Sequence, residues 1–227
     1  MPDNEDITGD IPLTGKLREK LVEAKQGWAR DRRLLTGTTA TPETARLPPG
    51  QRLVTDFPVL DLGVQPDVSP EKYRLRVEGL VAAPLRLTLA EFHALPQASR
   101  TNDIHCVTQW SRYDNAWDGV PVPDLLALAR PKDEARFVAL TSYDGYTTNL
   151  AIEDFARPEN LLAHAWAGAP LERQHGGPLR LVVPHLYFWK SPKWLTRIEL
   201  LREDRPGFWE VRGYHNRGDP WMEQRYG

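Results

Sequence analysis

The sequence predicts an α+β fold in which mixed and antiparallel sheets are joined by short helices. Segments with the two-residue alternation of a strand and segments with the periodicity of a helix follow one another without a regular βαβ order. The chain also contains 20 prolines and 16 glycines, which predict many turns. Neither an internal repeat nor a heptad pattern is present in the 227 residues, a length that is enough for a substantial core.

The first part of the chain predicts one helix and one loop. Residues 14–33 are expected to form the helix, with Thr14 as its N-terminal cap, because apolar residues recur about one turn apart at Leu17, Leu21, Ala24 and Trp28. Such a stripe is more typical of packing on the chain's own core than of docking a partner protein, and both remain open. Three prolines between residues 36 and 50 predict a loop that wraps over the surface.

The remaining sequence predicts the main domain, so we divide the chain into residues 1–50 and residues 51–227. Thr88 and Glu91 have the spacing of a capping box and are expected to open a short helix that runs to about Leu95. Two more helices are expected at 122–129 and 152–162. Strand patterns occur at four places: 73–77, 137–141, 179–183 and 194–201.

Composition and charge exclude some functions. The chain has 29 Lys and Arg residues against 31 Asp and Glu residues, so no basic excess indicates binding to nucleic acid or to an anionic membrane surface. The sequence has no apolar run of the roughly 18 residues that span a membrane, and we expect no integral membrane segment. Its polar, acidic start lacks the features of a secretory signal. We therefore expect a cytoplasmic protein.

Cys106 is the single cysteine of the chain. An isolated cysteine often packs as a small hydrophobic residue. The neighbours of this one include four polar side chains that need partners if they are buried: His105, Thr108, Gln109 and Ser111. The segment therefore indicates a functional site, although a passive place in the core remains open.

Four motifs in this order resemble one known family. A Cys-Val-x-x-Trp-Ser segment begins at Cys106, and a Trp-x-Gly-Val-Pro segment begins at Trp117. The run His-Gly-Gly-Pro-Leu-Arg begins at His175, and Lys-Ser-Pro-Lys-Trp-Leu begins at Lys190. Together they resemble the molybdopterin domain of the sulfite oxidase family, which includes methionine-sulfoxide reductase catalytic subunits, over about residues 51–227. The resemblance implies the fold of that domain, with mixed and antiparallel sheets and short helices.

The resemblance also implies a molybdenum-molybdopterin cofactor and the residues that hold it. Cys106 matches the thiolate ligand of the metal, and a soft sulfur ligand suits a metal that changes oxidation state. His105, beside it, either hydrogen-bonds the cofactor or is turned away by strand alternation. The other matching cofactor-binding positions are Asp56, Phe57, Ser142, His175, Arg180, Ser191, Pro192 and Lys193. Arg180 and Lys193 offer cations for the phosphate of the pterin, although exposed charges of this kind are common without such a role.

The substrate side departs from the sulfite oxidases. They place arginines shortly after the ligand cysteine, whereas here the positions after Cys106 are Val107, Thr108, Gln109 and Trp110. We therefore expect sulfite to be a poor substrate. His164 matches an active-site tyrosine and is expected either to relay a proton as a catalytic residue or to serve only the structure of a helix. The aromatic tail from Phe208 to Tyr226 is expected to cover the core or to line a groove.

The implied function is oxygen-atom transfer to or from a small or sulfoxide-type substrate, with the metal cycling between Mo(VI) and Mo(IV). The chain has no cluster of cysteines for iron–sulfur centres and no dinucleotide fingerprint, so we expect a separate electron-transfer protein as partner. Its length leaves no room for the dimerisation domain of larger sulfite oxidases, which indicates a monomer. Two alternatives remain open: a non-catalytic carrier of the molybdenum cofactor, and a hydrolase with Cys106 as nucleophile and His105 or His164 as base.

Overall fold

The structure, a computed structural model, describes residues 15–31, 38–40 and 44–227. Its helices are α1 (Gly15–Arg30), α2 (Leu89–His93), α3 (Val122–Ala129) and α4 (Ile152–Phe155). Its strands are β1 (Arg52–Leu53), β2 (Arg74–Gly79), β3 (Leu85–Thr88), β4 (Ala98–His105), β5 (Trp110–Pro121), β6 (Phe137–Ser142), β7 (Thr147–Ala151), β8 (Leu161–Trp166), β9 (Ala169–Pro170), β10 (Arg180–Val182) and β11 (Leu195–Leu201).

The first sheet of the described chain is built around the long strand β5. This strand pairs in parallel with β1 and antiparallel with β4 and β8, and β8 also pairs with β9 and β10. Gly119 of β5 lies so close to β8 that an added Cβ would be 2.0 Å from the Leu162 carbonyl oxygen. The close approach of the two backbones therefore requires glycine at this position.

The second sheet has the strand order β3-β2-β11-β6-β7 in the described residues. The pair β2–β11 is parallel and the other pairs are antiparallel. One apolar cluster joins this sheet to α2, α3 and part of the first sheet, and it includes Leu75, Phe92, Leu125, Leu162 and Ile198. The observed architecture is thus the α+β fold with mixed sheets and short helices that the sequence predicted.

A second apolar cluster gathers the aromatic residues of the chain and lies around Cys106. Its buried members come from both ends of the chain as well as from the first sheet, and they include Val22, Ala29, Trp110, Trp117, Trp209 and Tyr214. A cluster assembled from segments so distant in sequence surrounds the candidate site on several sides. The aromatic tail therefore contributes to this second core.

Most predicted elements are present, and one prediction is wrong in part. Residues 152–162 do not form one helix, because α4 ends at Phe155 and β8 begins at Leu161. Pro158 disfavours helical backbone at the residue before it. Asn160 then donates from Nδ2 to the carbonyl oxygens of Asp154 and Phe155 at 2.7 and 2.8 Å, which ends the helix. His164 consequently lies on a strand rather than on a helix.

The buried positions of α1 lie one residue further along the helix than the predicted apolar positions. Val22 and Ala29 are buried, whereas Leu21, Ala24 and Trp28 are only half-buried. Residues 22, 25 and 29 lie on one face of a helix, so Lys25 is held on the buried face. Thr14, the Leu17 side chain and residues 32–33 lie outside what the structure describes.

The loop before the main domain is described in part, from residue 44 onward and at 38–40. Arg46 in this loop forms ion pairs with Asp103 at 2.5 Å and with Asp114 at 2.7 Å. These two aspartates belong to β4 and β5. This part of the loop therefore lies over the first sheet.

Candidate active site

Cys106 lies in a tight turn between β4 and β5. The backbone N–H of Cys106 donates to the Trp110 carbonyl at 2.8 Å, and that of Gln109 donates to the Cys106 carbonyl at 3.0 Å. Gln109 has a φ of 71°, a left-handed conformation that costs a residue other than glycine roughly 1–2 kcal/mol. Such conformations persist where the surrounding structure holds them and are frequent at functional sites.

Side chains from both ends of the chain hold this turn. Gln51 donates from Nε2 to the Cys106 carbonyl at 3.1 Å, and Arg225 donates from Nη1 to the Val107 carbonyl at 2.7 Å. Both side chains are buried. The backbone around the thiol is therefore fixed by contacts that do not involve the sulfur atom.

His105 points away from the thiol. Its Nδ1 lies 2.8 Å from the Ser111 hydroxyl, which donates to Gln51 Oε1 at 3.2 Å. Burial lowers the pKa of His105 to about 4, so the ring is neutral at pH 7. Since Cys106 Sγ contacts Thr108 Oγ1 at 3.1 Å instead, the structure does not place Cys106 and His105 as a nucleophile and its base.

A cleft opens beside the thiol, with about 890 Å³ of space free of protein atoms, part of it continuous with solvent. The cleft brings together residues that are far apart in sequence. Those that the sequence predicted and that line it are Phe57, Cys106, His175, Arg180, Ser191, Pro192 and Lys193. We refer to this space as the Cys106 cleft.

Burial raises the pKa of the Cys106 thiol, and its contacts with Thr108 and the charges of Lys25 and Arg225 oppose that change only in part. Without a further positive charge the group remains a thiol at neutral pH. A metal ion supplies such a charge and holds a bound cysteine as the thiolate. The environment of Cys106 therefore suits a metal ligand better than a free nucleophile.

Arg180 supplies a buried positive charge to the Cys106 cleft. Its guanidinium donates to the carbonyl oxygens of His175 at 2.8 Å and Ser191 at 3.0 Å and lies 4.2 Å over the Phe188 ring. In the described part of the chain no carboxylate pairs with it, and burial lowers its pKa to about 9. An unpaired buried charge is costly, so an anionic ligand at this position would be strongly stabilised.

Lys193 also lines the Cys106 cleft, near Arg180. Its Nζ donates to the Gln174 carbonyl at 2.9 Å. Burial and the nearby charge of Arg180 lower the pKa of Lys193 to about 7. Two cations that disfavour each other in the absence of a ligand form a natural site for a phosphate group.

Flat aromatic groups and a buried donor line the middle of the cleft. Phe57 stacks on His175 with ring centroids 4.2 Å apart and an angle of 8°. The indole N–H of Trp110 is buried and has no hydrogen-bond partner within the described residues. A thiol, two cations, planar surfaces and an unpartnered donor together match the metal, phosphate and polar ring edges of a molybdopterin.

Four predicted site residues do not line the cleft. Asp56 accepts a hydrogen bond from the Thr38 N–H, and His105 is bound to Ser111. Ser142 is buried with a hydroxyl that has no partner among the described residues, but it lies outside the cleft lining. His164 packs against α2 instead, with its ring 4.5 Å from that of His93 and 6.4 Å from that of Phe92.

Other cleft residues were not predicted as site residues. Lys25 comes from α1, and Asp61, Asp144 and Tyr146 come from loops. Trp209 and Tyr214 come from the aromatic tail. This tail was expected either to cover the core or to line a groove. Lys25 could have been found only by noticing a lysine between apolar residues at helical spacing, which is a weak signal.

The depressed pKa of Lys193 predicts how the stability of cofactor-free protein depends on pH. Between about pH 7 and the ordinary lysine value of 10.5, the unfolded chain holds a proton that the folded chain has lost. Stability therefore rises with pH in this range. We expect the melting temperature to increase from pH 7 to pH 9 and Lys193→Met to flatten that increase, with the exposed Lys132→Met as control. An equal slope in Lys193→Met and wild type would contradict the prediction.

Within the described ranges, every helix is too short or too polar to cross a membrane.

The model of the oxidoreductase molybdopterin binding domain family matches residues 62–209. The chain is 48% identical to the uncharacterized oxidoreductase YuiH of Bacillus subtilis over 190 residues, which cover 83% of this chain and 96% of that protein.

Two further similarities cover a smaller share of the matched protein. The chain is 34% identical to the protein-methionine-sulfoxide reductase catalytic subunit MsrP of Gluconobacter oxydans, over 62% of this chain and 50% of that protein. It therefore spans about half the length of this relative. The sulfane dehydrogenase SoxCD from Paracoccus pantotrophus has a similar fold, with a TM-score of 0.59 at 23% identity over 70% of this chain and 46% of that chain.

The family match covers more than half of the chain and contains Cys106, Arg180 and Lys193. It agrees with the shape and chemistry of the Cys106 cleft and confirms the sulfite oxidase-like fold that the four sequence motifs implied. The chain belongs to the oxidoreductase molybdopterin binding domain family and is a molybdopterin-dependent oxidoreductase.

Proposed function

We propose that the cofactor carries molybdenum, that Cys106 is its protein ligand, and that the enzyme transfers an oxygen atom to or from a small or sulfoxide-type substrate. One observation carries the proposal. A buried thiol shares a cleft with an unpaired buried arginine and a second cation, so a metal and a phosphate have complementary groups in one space. When bound, the molybdenum supplies the two-electron change between Mo(VI) and Mo(IV) that oxygen-atom transfer requires.

The residues of the chain would divide the binding of the cofactor between them. Cys106 offers the sulfur ligand from a turn whose backbone is already fixed. Arg180 and Lys193 would neutralise the phosphate, and the Trp110 N–H and the stacked Phe57–His175 pair would bind the ring system. Burial and neighbouring cations lower the pKa of His175 to about 4, so its ring is neutral and adds no charge to the cleft at pH 7.

The wall beside Cys106 indicates the kind of substrate. It is formed largely by apolar and aromatic side chains, including Leu60, Leu62, Val107 and Trp209. Arg112 does not line the cleft, because its guanidinium lies 4.8 Å over the Trp166 ring and donates to Asn115 Oδ1 at 2.6 Å. With Arg112 held away and Arg180 and Lys193 assigned to the cofactor phosphate, a pyramidal dianion such as sulfite would meet few remaining counter-charges, whereas a sulfoxide suits the apolar wall.

An external electron carrier follows from the content of the chain. Cys106 is its single cysteine, so an iron–sulfur cluster bound by cysteines cannot be formed within it. The reductase relative is itself named as a catalytic subunit, which indicates that it works with another protein. We propose that electrons reach or leave the cleft through a separate electron-transfer protein.

The test is to produce the protein in a host that makes the cofactor and to measure molybdenum together with the fluorescence of the oxidised pterin. We expect about one molybdenum and one pterin per chain. We also expect a higher kcat/KM for reduction of dimethyl sulfoxide with a reduced dye than for oxidation of sulfite with an oxidised dye. Protein without molybdenum and pterin would overturn the proposal. Full loading without turnover of any sulfoxide or N-oxide would instead support a cofactor carrier.

A further inference from the structure

The buried face of α1 packs on the apolar cluster around Cys106, and its Lys25 lines the Cys106 cleft. Val22 and Ala29 on this face belong to the apolar cluster that contains Cys106, and Gln26 donates to the Arg212 carbonyl at 3.1 Å. Residues 15–30 precede the segment that the family model matches, which begins at residue 62. The helix thus brings to the cleft a side chain, Lys25, that the matched segment does not contain.

Lys25 is the charged side chain that this face carries into the cleft. Its Nζ hydrogen-bonds the backbone carbonyl of Asp61. The ammonium group has three N–H donors, and among the described residues that carbonyl is the acceptor it is seen to use. The geometry leaves the head group of Lys25 suited to bind a further acceptor in the cleft.

Asp61 does not neutralise Lys25 fully. Its carboxylate accepts from Gln65 Nε2 at 2.9 Å and from the Gly63 N–H at 2.8 Å, and it also attracts Lys193. Lys25 lines the same cleft as Cys106 and Lys193. The charged side chains that line the cleft are Lys25, Arg180 and Lys193 together with Asp61 and Asp144.

Arg180 and Lys193 are assigned to the cofactor phosphate under the function proposed above. Lys25 stands on a different element, α1, and lines the cleft together with Cys106, Thr108 and apolar residues such as Leu62 and Val107. Few polar groups near Lys25 could fix the orientation of a neutral substrate. A negatively charged group of the substrate could instead bind the Lys25 ammonium in this largely apolar part of the cleft. One ammonium balances a monoanion better than a dianion such as sulfite.

We propose that Lys25 is a specificity-determining residue that binds a carboxylate or sulfonate group of the substrate while the reacting group lies beside Cys106. This inference rests on the proposed function, because it takes the Cys106 end of the cleft to be the reacting end. The substrate class is then a small monoanion that carries a sulfoxide or a similar oxygen-bearing group.

A matched pair of sulfoxides tests the role in catalysis. Methylsulfinylacetate and dimethyl sulfoxide have the same reacting group, and only the first carries a carboxylate. We expect Lys25→Gln to raise KM for methylsulfinylacetate by about 10- to 100-fold, the effect of one charge-assisted hydrogen bond. KM for dimethyl sulfoxide should change at least fivefold less than KM for methylsulfinylacetate, and Lys25→Arg should restore most of the affinity. Lys20→Gln, an exposed lysine of α1, is the control.

Binding of an inert anion gives a second readout that needs no turnover. Methanesulfonate is titrated into the protein while the fluorescence of the cleft tryptophans is followed. We expect binding to wild type and Lys20→Gln and a tenfold or greater loss of affinity in Lys25→Gln. Equal affinity in Lys25→Gln and wild type, or no binding to wild type, would overturn the inference.

The pterin content of each variant separates this inference from the proposed function. Loss of pterin from Lys25→Gln would assign Lys25 to the cofactor and overturn the inference while leaving the proposed function intact. Lack of molybdenum and pterin in the wild type would overturn the proposed function itself. If Lys25→Gln keeps the pterin content of the wild type and loses affinity for the anion, the result supports both the proposed function and the role of Lys25 in substrate binding.

Discussion

Replacing Cys106 with serine is expected to lower turnover more than about 10³-fold, equivalent to about 4 kcal/mol in the activation barrier, while the fold is retained. An alcohol is a harder and far less acidic ligand than a thiol, so the metal would lose its protein sulfur. The fold should survive because Gln51 and Arg225 hold the turn through backbone carbonyls. Steady-state activity and the spectrum of the bound molybdenum provide the measurement.

Thr108→Val is the matched comparison for this variant. It removes the side-chain contact of the thiol at 3.1 Å but leaves the sulfur in place. We expect Thr108→Val to keep the molybdenum spectrum of a sulfur-ligated site, and Cys106→Ser to lose it. Wild-type activity in Cys106→Ser would refute the assignment of the ligand.

The second large effect is expected for Arg180→Ala, which should lower the pterin content of the purified protein. The guanidinium is buried without a carboxylate partner in the described residues, so the cofactor phosphate is the anion that it is suited to bind. Loss of a charge-assisted contact of about 1.5–3 kcal/mol weakens binding by about 10- to 150-fold. Pterin fluorescence per chain measures the occupancy, and Arg202→Ala removes an exposed arginine as control.

Arg180→Met separates a binding defect from a folding defect. Methionine keeps much of the volume, and replacing buried charge with an apolar group is often neutral or stabilising. We expect cofactor-free Arg180→Met to melt no lower than the wild type and to take up less cofactor. Arg180→Lys should bind more weakly than the wild type, because lysine keeps the charge but not the two-pronged geometry. Wild-type pterin content in all three variants would place Arg180 outside the cofactor site.

Elements governed by neighbours in sequence were predicted well. The capping box of Thr88 and Glu91 forms as expected, with Glu91 N–H donating to Thr88 Oγ1 at 3.1 Å. The helix α3 has the predicted bounds of 122–129. These features depend on contacts three or four residues apart, which the pattern of residues contains directly.

Elements that depend on distant pairing were predicted less well. The long strands β4 and β5 were not identified, because their residues from 98 to 121 are mostly polar and owe their extended form to pairing with each other and with β8. The predicted helix 152–162 included the first two residues of β8, and His164 was also expected on a helix although it lies on that strand. Sheet register and the choice between helix and strand here come from contacts across the chain.

The candidate site shows the same division. The motifs around Cys106, His175 and Lys190 were sufficient to indicate the family, its molybdopterin cofactor and the two cations Arg180 and Lys193 that line the cleft. That Lys25 enters the cleft and that His164 lies beside His93 could not be seen in the motifs. Each depends on which face of a helix or strand the packing buries, and that choice is made only when the elements come together in the folded chain.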